Sequence, residues 1–221
     1  MQLRHLQLLD SALPIGAFSH SFGLETLVQE GQIKVADELR AFCESALFGV
    51  WAPCDAMLVV ANYGCEPARL WELDQKLHVA RSAFESREGQ RKIGRRLLQL
   101  GRALYPELDF AAPERAIADG ECVGAYATIY GWICRELNVT LDEAATGFLF
   151  VSVSGCINGA MRAMRLGQTE GQQIIGALLP QIERAWAQNK DRAPDAWASN
   201  LPQLEIAQMR HARLYSRLFM S

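Results

Sequence analysis

The sequence predicts an all-α fold, a single-domain bundle of about eight to ten helices spanning residues 1–221. Three observations carry that expectation. Apolar residues recur at three- and four-residue spacing almost throughout, which lines one face of a helix. No stretch of strand length alternates apolar and polar residues, as a half-buried strand would. Helix start and stop signals recur along the chain. The clearest is Thr140-Leu141-Asp142-Glu143, where hydroxyl and carboxylate can each satisfy the other's orphan amide.

Taken in order, Leu3, Leu6 and Leu9 line a short first helix that the turn at Pro14 and Gly16 ends. Leu24, Leu27 and Val28 line a second, which stops at Gly31. Asp37 can cap a third, with Leu39, Phe42, Cys43, Ala46, Leu47 and Val50 inward. Pro53 should close that helix, because proline lacks the amide donor and crowds the preceding turn. Residues 55–63 form a short apolar segment before Gly64, and Pro67 opens a helix carrying Leu70, Leu73 and Leu77.

From Arg81 to Arg102 the chain turns basic through Arg87, Arg91, Lys92, Arg95 and Arg96. Ile93, Leu97, Leu100 and Leu104 run beneath that charge, so an amphipathic helix is expected, with Glu88 and Lys92 paired at i, i+4. Its charged face is either solvated or suited to an acidic partner. Tyr105-Pro106 ends it, and 108–120, containing Pro113, reads as a loop. A helix over 123–137 carries Tyr126, Ile129, Tyr130 and Ile133 and ends at Asn138.

Residues 144–161 hold no charge over eighteen positions, at the lower limit for a membrane span. Glycines, serines and an asparagine dilute that run, so a central buried helix is the expectation. Gly155 and Gly159 would open it to a close neighbour at a self-association interface. Gly167 ends it, and Thr169-Glu170-Gly171-Gln172 reads as a second capping box. The helix that follows carries Ile174, Ile175, Leu178, Leu179, Ile182 and Trp186, with a kink at Pro180. A polar loop over 191–200 precedes a last helix from Pro202, with Ile206 and Met209, running toward the terminus.

Half the residues are hydrophobic and 21% are charged, ordinary values for a globular chain. A net charge of −3 gives no electrostatic footprint for nucleic acid or an anionic membrane surface. The first residues show no secretion-signal pattern, and Cys43, Cys54, Cys65, Cys122, Cys134 and Cys156 are scattered among apolar residues. Buried free thiols and a cytoplasmic location are therefore expected.

Chemistry is sparse. The sequence contains neither a phosphate-binding glycine loop nor a dinucleotide fingerprint. His5, His20, His78 and His211 stand far apart, with no metal-ligand spacing, so no metal site and no cofactor are expected. The richest stretch is Leu9–Glu25, where Pro14 and Gly16 set a turn, Phe18 and Phe22 add apolar surface, and Ser19, His20 and Ser21 add polar tips. Ser19 or Ser21 could simply cap the next helix. An interaction protein is the reading these residues favour. The alternative is a small helical hydrolase using His20 and a nearby serine. A helical DNA-binding regulator is a third, weakened by the negative charge.

Four separated motifs resemble those of the urease accessory protein UreF family. The first is Pro14, Ile15, Gly16, Phe18, Ser19, His20, Ser21, Gly23, Leu24 and Glu25. The second is Arg81, Glu85 and Arg87. The third is Arg162, Leu166, Gly167, Gln168, Thr169, Gly171 and Gln172. The fourth is Arg210, His211, Leu214, Tyr215, Ser216, Arg217, Leu218, Phe219 and Ser221. Two positions depart from the family pattern, Arg165 for a frequent proline and Met220 for a frequent arginine.

The resemblance implies a non-catalytic, cytoplasmic, commonly dimeric helper in nickel insertion. Its implied partners are UreD (also called UreH), the GTPase UreG and the urease apoprotein. Partner binding is expected at Pro14, Gly16, Phe18, Ser19, His20, Ser21 and Glu25, and at Arg210, His211, Leu214, Tyr215, Arg217, Leu218, Phe219 and Ser221. The last group is read as a helical tail that docks on UreD and orders on binding.

Overall fold

The structure, a computed structural model, describes residues 2–221, and no strand occurs among them. Its helices are α1 (Leu3–Leu8), α2 (Leu24–Gln29), α3 (Ala36–Ala46), α4 (Ala56–Gly64), α5 (Pro67–Ala80) and α6 (Phe84–Leu104). They continue with α7 (Ala111–Ala118), α8 (Tyr126–Glu136), α9 (Leu141–Ala163), α10 (Gln168–Asn189) and α11 (Pro202–His211). The expected all-α class holds.

At the centre lie α4 and α8. Every residue from Ala56 to Asn62 is buried, as are eight consecutive residues of α8 from Ala127 to Cys134. A helix apolar on all sides has nowhere to go but the interior. The two pack on one another, α6 packs on α8, and α9 packs on both α4 and α10. At one end α2 and α11 pair, with α9 and α6 beside them.

Gly94 permits the close approach of α6 to the start of α8. A Cβ there would fall 2.1 Å from the Gly124 carbonyl oxygen, a backbone atom that cannot step aside. Beside it, the fully buried Asp74 of α5 gathers the N-terminus of α8. Its carboxylate accepts from the amides of Val123 (2.7 Å), Gly124 (2.9 Å) and Ala125 (3.1 Å). It also accepts from Thr128 Oγ1 (2.6 Å) and Cys122 Sγ (3.1 Å). A carboxylate at a helix N-terminus is favoured both by the orphan amides and by the dipole. Nothing in the sequence distinguishes Asp74, one carboxylate in an ordinary helix.

Several local expectations hold. Glu30 closes α2 and Gly31 takes φ +71° after it. Pro67 and Pro202 sit in first turns, and Tyr105 ends α6. Asn138 turns left-handed (φ +56°) after α8. The Thr140–Glu143 box forms in both directions.

Other expectations are corrected. Pro53 does not end its helix. The chain runs from Ala36 to Gly64 as one continuous helix, widening into π-helical turns over Leu47–Asp55 that absorb the proline. Residues 111–118 are helical rather than loop, because Pro113 falls in the first turn, where its missing amide would have had no partner. In α1 the buried side chains are His5 and Leu8, whereas Leu3 and Leu6 are exposed. The His5 ring is drawn inward by Tyr130, whose hydroxyl lies 2.9 Å from Nε2.

The second capping box is shifted: Gly167 is the N-cap of α10, and Glu170 rather than Gln172 reaches back. Helix α10 continues through Pro180. Glu88 pairs with Arg91 (2.6 Å) rather than with Lys92. Ala36–Gly64 and Leu141–Ala163 are each long and apolar enough to cross a membrane; the first is buried on all sides over Ala56–Asn62, and the second contributes one face to the packed interior. Helix α9 is central in that it packs on α2, α3, α4, α8 and α10, but it is buried on one side only. Ala145, Leu149, Val153, Ile157 and Ala160 face inward, while Ser152, Ser154, Gly155 and Asn158 border an open groove of ≈ 230 Å³.

Candidate partner-binding surface

Helix α11 stops at His211, and residues 212–221 are not helical. The expected helical continuation through Leu214 and Leu218 is therefore absent. Instead the segment folds back along the Phe18–Glu25 loop and is bonded to it residue by residue. The Met220 amide donates to the Ser19 carbonyl at 2.8 Å, and the amides of Ser21 (2.7 Å) and Phe22 (3.1 Å) donate to the Ser221 carbonyl oxygen. Ser21 Oγ donates to that same oxygen at 2.7 Å. Ser221 Oγ lies 2.8 Å from His20 Nδ1.

The loop can lie this close because of Gly89 on α6. A Cβ there would come within 2.9 Å of His20 Nδ1 and 3.0 Å of Phe22. Phe22 takes φ +48°, uncommon for a residue with a bulky side chain, and its ring stacks on His20 at 5.4 Å. Neither Ser19 nor Ser21 caps α2; its N-cap is Gly23.

Beneath this pairing lies a buried ionic cluster. Glu25, 1% exposed, accepts from the amides of Leu218 (2.7 Å) and Phe219 (3.2 Å) and faces His211 Nε2 at 2.9 Å. The opposite ring nitrogen of His211 faces Glu85 at 2.7 Å, and Arg217 binds the other Glu85 oxygen at 2.7 Å. Partial burial alone would raise the Glu85 carboxyl. The His211 and Arg217 bonds outweigh it and hold the carboxyl below the usual range. An imidazole set between two carboxylates can donate from both nitrogens only as imidazolium.

The remaining pieces converge on the same place. Arg162, from the third motif, donates to the Phe18 carbonyl and lies over the Phe219 ring at 4.6 Å. Gly159 faces Leu24 and Phe219 of its own chain, with a Cβ there 3.7 Å and 3.9 Å from them. Gly155 is open, with nothing within 4 Å of a Cβ. Both glycines border the groove, and Gly159 alone also seats the tail.

Not every expected residue joins the cluster. Pro14 lies further along the loop, its carbonyl bonded by Arg96 at 3.2 Å, and Gly16 supplies a left-handed turn (φ +81°). Arg210 pairs with Glu30 at 3.3 Å, on the rim. From the second motif, Arg81 pairs with Asp55 in the groove wall, and Arg87 donates to the Arg81 carbonyl. Other arginines on α6 are also engaged within the fold, Arg95 with the Val123 carbonyl and Arg91 with Glu88. That weakens the picture of α6 as a bare basic face.

What the seam presents outward is apolar. Tyr215 is fully exposed at 106%, Phe18 at 71%, Leu218 at 61% and Met220 at 56%. Met220 and Phe18 flank the hydrogen bond between Met220 and Ser19, and Leu218 hangs from Glu25 two residues earlier. Flexible tails rarely hold apolar groups outward on a bonded backbone, so this is an apolar rim on a fixed base.

As for nucleophilic chemistry, His20 does meet a serine, but it is Ser221 rather than Ser19 or Ser21. Burial, with Lys92 and His211 nearby, lowers the His20 imidazole to about 4. Among the described residues no carboxylate bonds to its ring, so a serine–histidine pair stands without an orienting acid. No set of three or more metal-ligating side chains converges among the described residues.

A family model described as UreF matches residues 33–179. The chain is 35% identical over 223 residues to the urease accessory protein UreF of Lachnoclostridium phytofermentans, covering 99% of this chain and 98% of that protein. It is 34% identical over 219 residues to that of a Bacillus species (strain TB-90), covering 97% and 96%. Against that of an Arthrobacter species (strain FB24) the identity is 33% over 229 residues, covering 100% and 97%. The loop and tail that meet at the seam lie outside residues 33–179.

Proposed function

Since this chain belongs to the UreF family of urease accessory proteins, we propose that it is a non-catalytic scaffold. In this reading it works in the cytoplasm, joins UreD/UreH and the GTPase UreG, and supports nickel insertion into the urease apoprotein. The observation that carries the reading is the seam. All four motifs contribute a residue to it or to the adjoining groove wall, and its outer edge is Phe18, Tyr215, Leu218 and Met220.

A bonded backbone beneath exposed rings binds without first having to be ordered, which spares the entropy a floppy tail would lose. UreD is the partner we assign to this rim, with Arg210 and Arg217 at its border. Regulation of UreG then follows from the assembled complex, not from groups on this chain alone. Self-association, as a homodimer, is assigned to the open wall at Gly155, where a neighbour meets no steric barrier.

The test is capture of the chain by tagged UreD, alone and with UreG. Phe18→Ala and Tyr215→Ala remove exposed rings, so melting temperature should shift by less than about 2 °C. Each should weaken capture; at a central ring a loss of about 2 kcal/mol means roughly thirty-fold. Urease activation should fall in parallel. Normal capture and activation by the double variant would refute the assignment of this rim.

A further inference from the structure

Two thiols meet where α3 crosses α9. Cys43 Sγ donates to Cys156 Sγ at 3.6 Å, although the residues are 113 positions apart. Their exposures differ. Cys43 is completely buried, whereas Cys156 is half-buried and borders the groove beside Gly155, where the backbone is open. The sulfurs need to close by only about 1.5 Å to reach disulfide length.

We propose that Cys43 and Cys156 are a redox pair, in which Cys156 reacts with hydrogen peroxide from the groove and Cys43 resolves it to a disulfide. The Cys156 thiolate attacks one peroxide oxygen, the O–O bond breaks, and the departing hydroxide takes a proton to leave as water. Cys156 is then a sulfenic acid. The Cys43 sulfur attacks the Cys156 sulfur, the S–O bond breaks, and a second water leaves with the Cys43 proton. In total the two sulfurs lose two electrons, peroxide gains them, and two waters form.

The order of events follows from access, since reagent reaches Cys156 first. It also follows from the proton, because the bond to Cys156 and burial push the Cys43 thiol up and keep it protonated until it is needed. The bond would bolt the groove wall that carries Phe42, Val50 and Trp51 to the wall that carries Val151 and Ser152. A rigid groove is then the oxidised state and a compliant one the reduced state. The other four thiols have no thiol neighbour within bonding distance among the described residues.

The experiment uses the purified full chain with and without a small excess of hydrogen peroxide. Expected is loss of two of the six thiols, a mass lower by two hydrogens and one peptide linking Cys43 to Cys156. Melting temperature should rise by several degrees, and dithiothreitol should reverse every change. Cys156→Ser should leave Cys43 unreactive, and Cys43→Ser should accumulate a sulfenic acid on Cys156 that dimedone traps. If the wild-type chain keeps all six thiols under peroxide that oxidises them in denaturant, the proposal is wrong. A linkage through any other cysteine, or a wild-type sulfenic acid that persists unresolved, equally overturns it.

Discussion

Phe219→Ala tests whether the C-terminal segment is part of the fold. The ring is 4% exposed and packs beside Gly159 and under the Arg162 guanidinium at 4.6 Å. Truncating a buried phenylalanine costs about 3–5 kcal/mol, of which the lower end applies where surroundings can collapse. This site is near the surface, and Arg162 can follow the retreating side chain, so about 3 kcal/mol is expected. For a chain of this length each kcal/mol lowers the melting temperature by about 2–4 °C. The variant should therefore melt roughly 6–12 °C below wild type by differential scanning calorimetry. Tyr215→Ala, four residues earlier and fully exposed, is the control and should shift it by less than about 2 °C. Equal melting temperatures for Phe219→Ala and wild type would refute the docked tail. They would also remove the bonded base on which the apolar rim depends.

Asp74→Ala strips the acceptor shared by three amides, a hydroxyl and a thiol at the start of α8. With buried donors left orphaned, at least about 3 kcal/mol should be lost in urea titration, with a matching loss of α8 amide protection in hydrogen exchange. The pH response should carry a His20 signature. Its folded value of about 4 lies below its ordinary 6.5, so between those values the unfolded chain binds more protons than the folded one. Stability contributed by neutral His20 is thus complete above pH 6.5 and falls as pH drops toward 4. His20→Gln should flatten that slope in melting temperatures measured from pH 7 to 4.5, and an unaltered slope would show His20 to be solvated. Glu85 adds to acid sensitivity lower down. Its depressed carboxyl contributes stability above its ordinary 4.5 that is lost as pH falls through its folded value. Glu85→Gln should reduce the loss below that point.

Sequence periodicity by itself determined the fold class. A three-to-four-residue repeat is written into neighbouring residues and survives without knowledge of what it packs against, as at Leu70, Leu73 and Leu77. Terminal signals with local chemistry were equally legible, including the Thr140–Glu143 box and the glycine after α2. The family resemblance picked out residues that meet in space, though not what they do there.

Tertiary structure decided the rest, because it depends on partners distant in sequence. Which side of α1 faces inward was set by Tyr130, 125 residues away from His5. Whether Pro53 breaks a helix was settled by the packing of its own segment, Leu47–Asp55, against α9 and α10, for which π turns are a tolerable cost. A lone Asp74 became an organising acceptor only when α8 was brought to it. Most plainly, the amphipathic pattern of Leu214, Tyr215, Leu218 and Phe219 is compatible with a helix. The chain gives up that helix because Glu25 and the Ser19–Phe22 backbone, nearly two hundred residues upstream, supply acceptors and donors that a helical tail could not reach.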